Sequence, residues 1–282
     1  MDISADLAAL FGEDAIPTDS ATMLAFELEA AVRADDRPEA SRLLAEGADP
    51  AWPSKADRFP SYFLAAQHSL DCLRLFAQSG ALDLGRPVST RTPLQHALLG
   101  GNEACARFLL PASDPNHLDS EGWDALMCAT VARLPAMVET LLSVCDPRLK
   151  DEGGETALML LMPAGDDGVA PRVQRIIDLL LPSADLMGAD KYGNNLLHKC
   201  FIRSDSADIL SADFIALRHI APLMPTEAFF AANDANVRPI DFPPLRALFE
   251  KRELDRQVAA SNHPAQMAGG ESLAPKKAAS RL

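Results

Sequence analysis

Aromatic residues are scarce in this chain of 282 residues, at 6%. Its core must therefore be built from small and aliphatic side chains, which suits thin helical layers. Cysteine is sparse and odd in number: Cys72, Cys105, Cys128, Cys145 and Cys200, with no C-x-x-C. Neither a disulfide framework nor a zinc site is indicated, and the thiols read as small core residues in a reducing compartment. No apolar run approaches the roughly 18 residues of a membrane span. The opening MDISADLAALFGEDAIP is acidic and lacks the positive start of a secretory signal. The expectation is a cytoplasmic protein with no membrane partner, export without a cleavable signal being the alternative.

Catalytic and cofactor signatures are missing as well. Neither G-x-G-x-x-G nor G-x-x-x-x-G-K-[ST] occurs, and Glu152 with Asp166 and Asp167 lacks calcium-ligand spacing. His198 and Cys200 stand two apart, so on a helix they point to different faces and cannot act as base and nucleophile. The expectation is a non-enzyme without cofactor or metal. Positive charge is in deficit: the formal net charge is −14. From Leu245 onward seven Lys and Arg face four Asp and Glu, so the body before it is more acidic than the whole. Such a body opposes nucleic acid, which needs clustered cations, and favours a basic protein partner.

What is present is a repeat. Thr92 to Asn116 reads as a capped helix from Pro93, a stop at Gly100–Gly101, and a second helix carrying Cys105, Phe108 and Leu109. Leu94, Leu126 and Leu158 lie 32 residues apart, and Leu197 follows 39 after Leu158. Asp119–Gly122, Asp151–Gly154 and Asp190–Gly193 open successive units, and Leu110, Leu142 and Leu181 keep the same intervals. A two-helix unit cannot bury both its apolar stripes alone, so the units must stack. The extra residues at 163–173, and an irregularity at 203–213, predict longer loops between paired helices. LRALFEKRELDRQVA predicts a terminal helix, and the residues after it a disordered tail.

The pattern resembles that of ankyrin-repeat proteins, on Thr92-Pro93-Leu94, Ala97, Gly101, Leu109-Leu110, Gly122, Leu126, Gly154, Thr156, Leu158, Gly193, Leu197-His198 and Gly47-Ala48-Asp49. Arginine outnumbers lysine 19 to 7, a composition that suits a bacterial, divergent member. The resemblance implies an all-α solenoid of about six or seven units. It spans 25–245, after a lead-in over 1–24 and before a capping helix over 246–259 and a tail over 260–282.

The resemblance also implies a protein-binding module, monomeric when free: an adaptor, an immunity protein against a basic toxin, or a secreted effector. It places partners at the hairpin tips between units and on the concave face of the inner helices. Tip positions are Trp52, Arg58, Phe59, Arg86, Arg91, His117, Trp123, Lys150, Glu152, Lys191 and Tyr192. Groove positions are His96, Cys128, Leu160 and Lys199. Exposed aromatics and arginines suit binding hot spots, although Trp123 could equally pack against the next turn. His198 takes the family's usual histidine position, where it bonds backbone.

Overall fold

A computed structural model describes residues 20–52, 60–79, 83–162, 170–202 and 220–262. Among these the chain is helical, with isolated bridges such as Val88–Arg91 and Ala189–Asn195, and no strand. The helices run α1 Ser20–Arg33, α2 Arg37–Ala45, α3 Ser61–His68, α4 Leu70–Gln78, α5 Pro93–Leu99, α6 Glu103–Leu109, α7 Ala125–Val131, α8 Pro135–Leu141, α9 Ala157–Leu161, α10 Ala170–Leu180, α11 Leu196–Ile202, α12 Thr226–Phe230 and α13 Pro243–Asn262. Consecutive helices from α1 to α10 form five antiparallel pairs. The first member of each pair stacks on the first member of the next, α1 on α3 on α5 on α7 on α9 on α11. The second members pack alongside, α2 on α4 on α6 and α8 on α10.

Local chemistry sets the helix ends. Thr92 and Gln95 form a reciprocal capping box, Thr92 N–H donating to Gln95 Oε1 at 2.8 Å and Gln95 N–H to Thr92 Oγ1 at 3.2 Å. Asn102 caps α6 and Asp124 caps α7 in one direction only, each side chain accepting from the backbone N–H three residues on, and Pro135 opens α8 at its first turn. The outer helices bury a stripe, such as Val173, Ile176, Ile177 and Leu180 on α10, whereas the inner helices α5 and α7 are covered nearly all round. Leu28, Leu43, Phe63, Phe76, Leu94, Leu126, Leu158, Leu197 and Phe229 join one continuous core along the stack. Each such side chain contributes about 1.5–3 kcal/mol by leaving water.

All five cysteines are free and buried. Burial pushes the Cys105, Cys145 and Cys200 thiols up to about 12, so they pack as neutral groups.

Several boundaries differ from the sequence reading. The first inner helix begins at Ser20, inside the expected lead-in, and buries Thr22. Residues 170–173, expected in a loop, already belong to α10. The terminal helix is longer than 246–259 because Pro243 and Pro244 fit a first turn, where a missing N–H costs nothing. Arg252 anchors it: Nη1 donates to the Met224 carbonyl at 2.6 Å, and the guanidinium lies 4.8 and 5.2 Å from the Phe229 and Phe249 ring centres. The closing unit forms only a 3-10 turn, Pro239–Asp241, where earlier units have an inner helix. The rest of the lead-in, the tail from 263, the loop 163–169 and the irregularity at 203–213 lie outside the described residues.

Candidate functional site

The turns that open each unit project as fingers, and their register is visible bond by bond. In the finger starting at Asp119, its N–H donates to the Trp123 carbonyl at 3.1 Å, while its Oδ1 accepts from the N–H of Glu121 and Trp123. Asp151 repeats this with Glu155 and Gly153, and Asp190 with Asn194 and Tyr192. Asn233 repeats it with Val237 and Ala235. One side-chain oxygen at the first position thus closes each finger as an Asx turn.

The fingers are also joined to one another through backbone. Glu152 N–H donates to the Glu121 carbonyl at 3.0 Å, Lys191 N–H to Gly153 at 2.9 Å, and Asp234 N–H to Tyr192 at 3.0 Å. This approach demands glycine at the fourth position. Gly154 has φ +77°, and a Cβ there would lie 2.8 Å from Lys191 N.

Side chains add a second set of links between neighbouring fingers. Arg91 Nε donates to Asp119 Oδ2 at 2.8 Å, and Trp123 Nε1 to Asp151 Oδ2 at 3.1 Å. Lys199 bridges Glu155 and Asp190, and Asn233 Nδ2 donates to Asn194 Oδ1 at 2.7 Å. Burial alone would raise the Asp119 carboxyl. The bonds from Arg91 and from the Trp123 and Glu121 backbone hold it below the ordinary carboxylate value instead. The same balance lowers Asp190, with Asn194 and Tyr192 as donors.

A third set runs from inside two of the inner helices, α5 and α11. Gln95 Nε2 donates to the His117 and Trp123 carbonyls at 3.0 and 2.8 Å. His198, at the matching place three units on, bonds the Val237 carbonyl through Nε2 at 2.9 Å and accepts from Asn195 N–H at Nδ1. Burial lowers its pKa, so it is a neutral structural group. Cys200 Sγ, two residues on, donates to the Leu196 carbonyl at 3.4 Å.

Several of the expected contact residues are more covered than groove or tip positions suggest. His96 and Lys199 are buried rather than facing an open groove, because helix stacking covers that position. Burial drives the His96 pKa down to about 4, with Arg91 adding to the effect, and Lys199 is spent on two carboxylates. Trp123 is half-buried and spends its indole N–H on the next finger. Cys128 is buried too, and Leu160 is half-buried.

Arg91 is a partly covered link, and His117 Nε2 bonds the Thr90 carbonyl at 2.9 Å. Exposed positions remain at Trp52, 41% accessible, and at Arg86, Lys150, Glu152, Lys191 and Tyr192, the last 58% accessible. Lys150 Nζ donates to the Ala189 carbonyl at 2.8 Å, and Lys191 Nζ lies 5.3 Å from the Tyr192 ring centre. Arg58 and Phe59 lie outside the described residues.

The sequence reading marks the three finger aspartates only as the openings of units and gives no role to Gln95. The signal was present as an Asp five residues before each helix cap, at 119, 151 and 190. Among the described residues no group of three or more His, Cys, Asp or Glu is placed to hold a metal ion, and no helix is long and apolar enough to cross a membrane.

Residues 28–151 match the family model described as ankyrin repeats, in three copies. No curated protein matches the chain.

Proposed function

With the chain identified as an ankyrin-repeat protein, a class of protein–protein interaction modules, we propose that it holds a basic protein partner on the exposed tips of its fingers. The observation that carries this reading is the backbone ladder from Glu121 to Asp234, which fixes Glu152, Lys191 and Tyr192 in exposed positions along one row. A preformed row limits the entropy lost on binding. The net charge of −14 favours a partner of opposite sign and predicts association that weakens with salt. The protein acts by binding, without turnover of its own, and is monomeric when free.

The test is partner capture from the native cell by the full chain and by the variant Glu152→Lys/Lys191→Glu/Tyr192→Ala. All three side chains are exposed, so the melting temperature should stay within about 2 °C of wild type. The reading expects a stoichiometric partner on the wild type that is lost on the variant. A partner retained equally by both proteins would sink it.

A further inference from the structure

Among the fingers wholly within the described residues the first, opened by Pro87, breaks the ladder, and the cause is one residue. Pro87 stands where Asp119, Asp151 and Asp190 open the later fingers. Proline has no N–H to donate four residues ahead and no side-chain oxygen to close an Asx turn. The hairpin therefore closes one residue further on: Val88 N–H donates to the Arg91 carbonyl at 2.9 Å, and Arg91 N–H returns to Val88 at 3.3 Å. Two residues, Ser89 and Thr90, lie between the bonded pair, where Asp119 and Trp123 enclose three. The left-handed residue becomes Ser89, at φ 61°, one before the place that Gly122 holds in the next finger.

The consequence falls on the next step of the stack. Among the described residues, the backbone bond that joins each later pair of fingers is absent between Ser89 and Ser120. Side chains span the gap instead: Thr90 Oγ1 donates to Ser120 Oγ at 3.2 Å, and Arg91 reaches Asp119. Between them remains a cleft of about 170 Å³ lined by Val88, Ser89, Thr90, Arg91, Ser120 and Glu121. That volume is well below the roughly 300 Å³ at which small-molecule pockets begin, and it suits a single side chain.

Its charge selects which one. Arg91 is matched at 2.8 Å by Asp119, whose side chain is fully buried. Glu121 lies further off, at 3.4 Å, and is 55% exposed, so its negative charge remains largely unspent at the mouth. The Ser89, Thr90 and Ser120 hydroxyls add acceptors. Resting on the interaction reading above, we propose that this cleft is the slot for a lysine or arginine side chain from an extended segment of the partner, its cationic head donating to the Glu121 carboxylate.

The test titrates the isotope-labelled full chain with N-acetyl-Ser-Arg-Ser-amide, following backbone amide shifts, and repeats it with citrulline in place of arginine. Saturable shifts are expected at Ser89, Thr90, Ser120 and Glu121, with the citrulline peptide about fivefold weaker, the yield of one exposed ion pair. Glu121→Gln should lose the same factor. The double change Pro87→Asp/Thr90→Gly restores the chemistry of the later fingers, so it should close the cleft and abolish the shifts. Glu250→Gln, on the exposed side of α13 and outside the fingers, should leave the affinity unchanged.

Equal binding of the two peptides, shifts confined to other fingers, or unaltered binding by the Pro87→Asp/Thr90→Gly variant would each overturn the proposal. The interaction reading stands or falls separately, since its variant alters only the third and fourth fingers.

Discussion

The unit opened by Pro87 and the unit opened by Asp151 occupy the same register and meet their neighbours by different means. At Asp151 a carboxylate closes the finger, Gly154 admits the next chain, and backbone bonds to both neighbouring fingers follow. At Pro87 none of these devices exists, and the step to Asp119 is held by Arg91, Thr90, His117 and Gln95. The inner helices differ in parallel. Gln95 and His96 stand in the first unit where Met159 and Leu160 stand in the later one. One unit adds backbone bonds between fingers to its side-chain links, whereas the other is joined to the next finger by side chains and leaves an open cleft.

The largest effect expected from breaking this comparison is at Gly154. Alanine would pay about 1–2 kcal/mol for the left-handed backbone, and its Cβ would press on Lys191 N at 2.8 Å. Parting the two fingers then loses a backbone bond worth about 1 kcal/mol. Gly154→Ala should therefore destabilise by about 3 kcal/mol, read as a lower urea midpoint. A loss below about 1 kcal/mol would mean the backbone ladder does not hold this step.

Next in size is a pH effect that belongs to the polar unit. His96 is held neutral by burial, with its pKa lowered to about 4. A neutral folded histidine contributes stability that is complete above the ordinary value near 6.5 and is lost as pH falls from there toward 4. Asp119 and Asp190 are lowered carboxyls, so their contributions fade only at lower pH, through the carboxylate range. Between pH 7 and 5 the chain should lose about 2 kcal/mol through His96, with a further contribution of the same sign from His198. His96→Leu, copying Leu160, should flatten most of that slope in urea titrations at the two pH values. An unchanged slope would place the acid sensitivity elsewhere.

The repeat was legible because it is written in apolar spacing. Leu94, Leu126, Leu158 and Leu197 report the stacking of inner helices with no knowledge of partners. Caps were legible for the same local reason, as Thr92 and Pro93 show. The surface was not. Arg91, Trp123 and Lys199 look like contact residues by type, yet each spends its polar group on an acidic residue of an adjacent finger. Those links join residues 28 or more positions apart in the chain for Arg91 and Trp123. Only the folded register reveals them. Pro87 was in plain view, but its effect required knowing that the neighbouring fingers donate a backbone N–H at that place.

Of the polar links, Arg91 to Asp119 gives the cleanest contrast with the backbone steps. Arg91→Met keeps the stem and removes the donor, leaving the buried Asp119 with its two backbone N–H partners. The expected loss is about 1–2 kcal/mol, with weaker dependence on salt than an exposed pair would show. No loss would mean that Thr90, His117 and Gln95 suffice to hold the first two fingers together.

The smallest effect separates two costs that Gly154 combines. Gly101, at the end of α5, also holds a left-handed backbone, φ +74°, but a Cβ there would meet nothing within 4 Å. Arg133 occupies the matching position one unit on at φ 58°, so the turn tolerates a side chain. Gly101→Ala should therefore cost only the conformational part, about 1 kcal/mol. The excess of Gly154→Ala over it, about 2 kcal/mol, is then the worth of one finger-to-finger contact. Equal losses at the two glycines would assign the whole effect to backbone conformation and leave the close approach of the fingers without energetic weight.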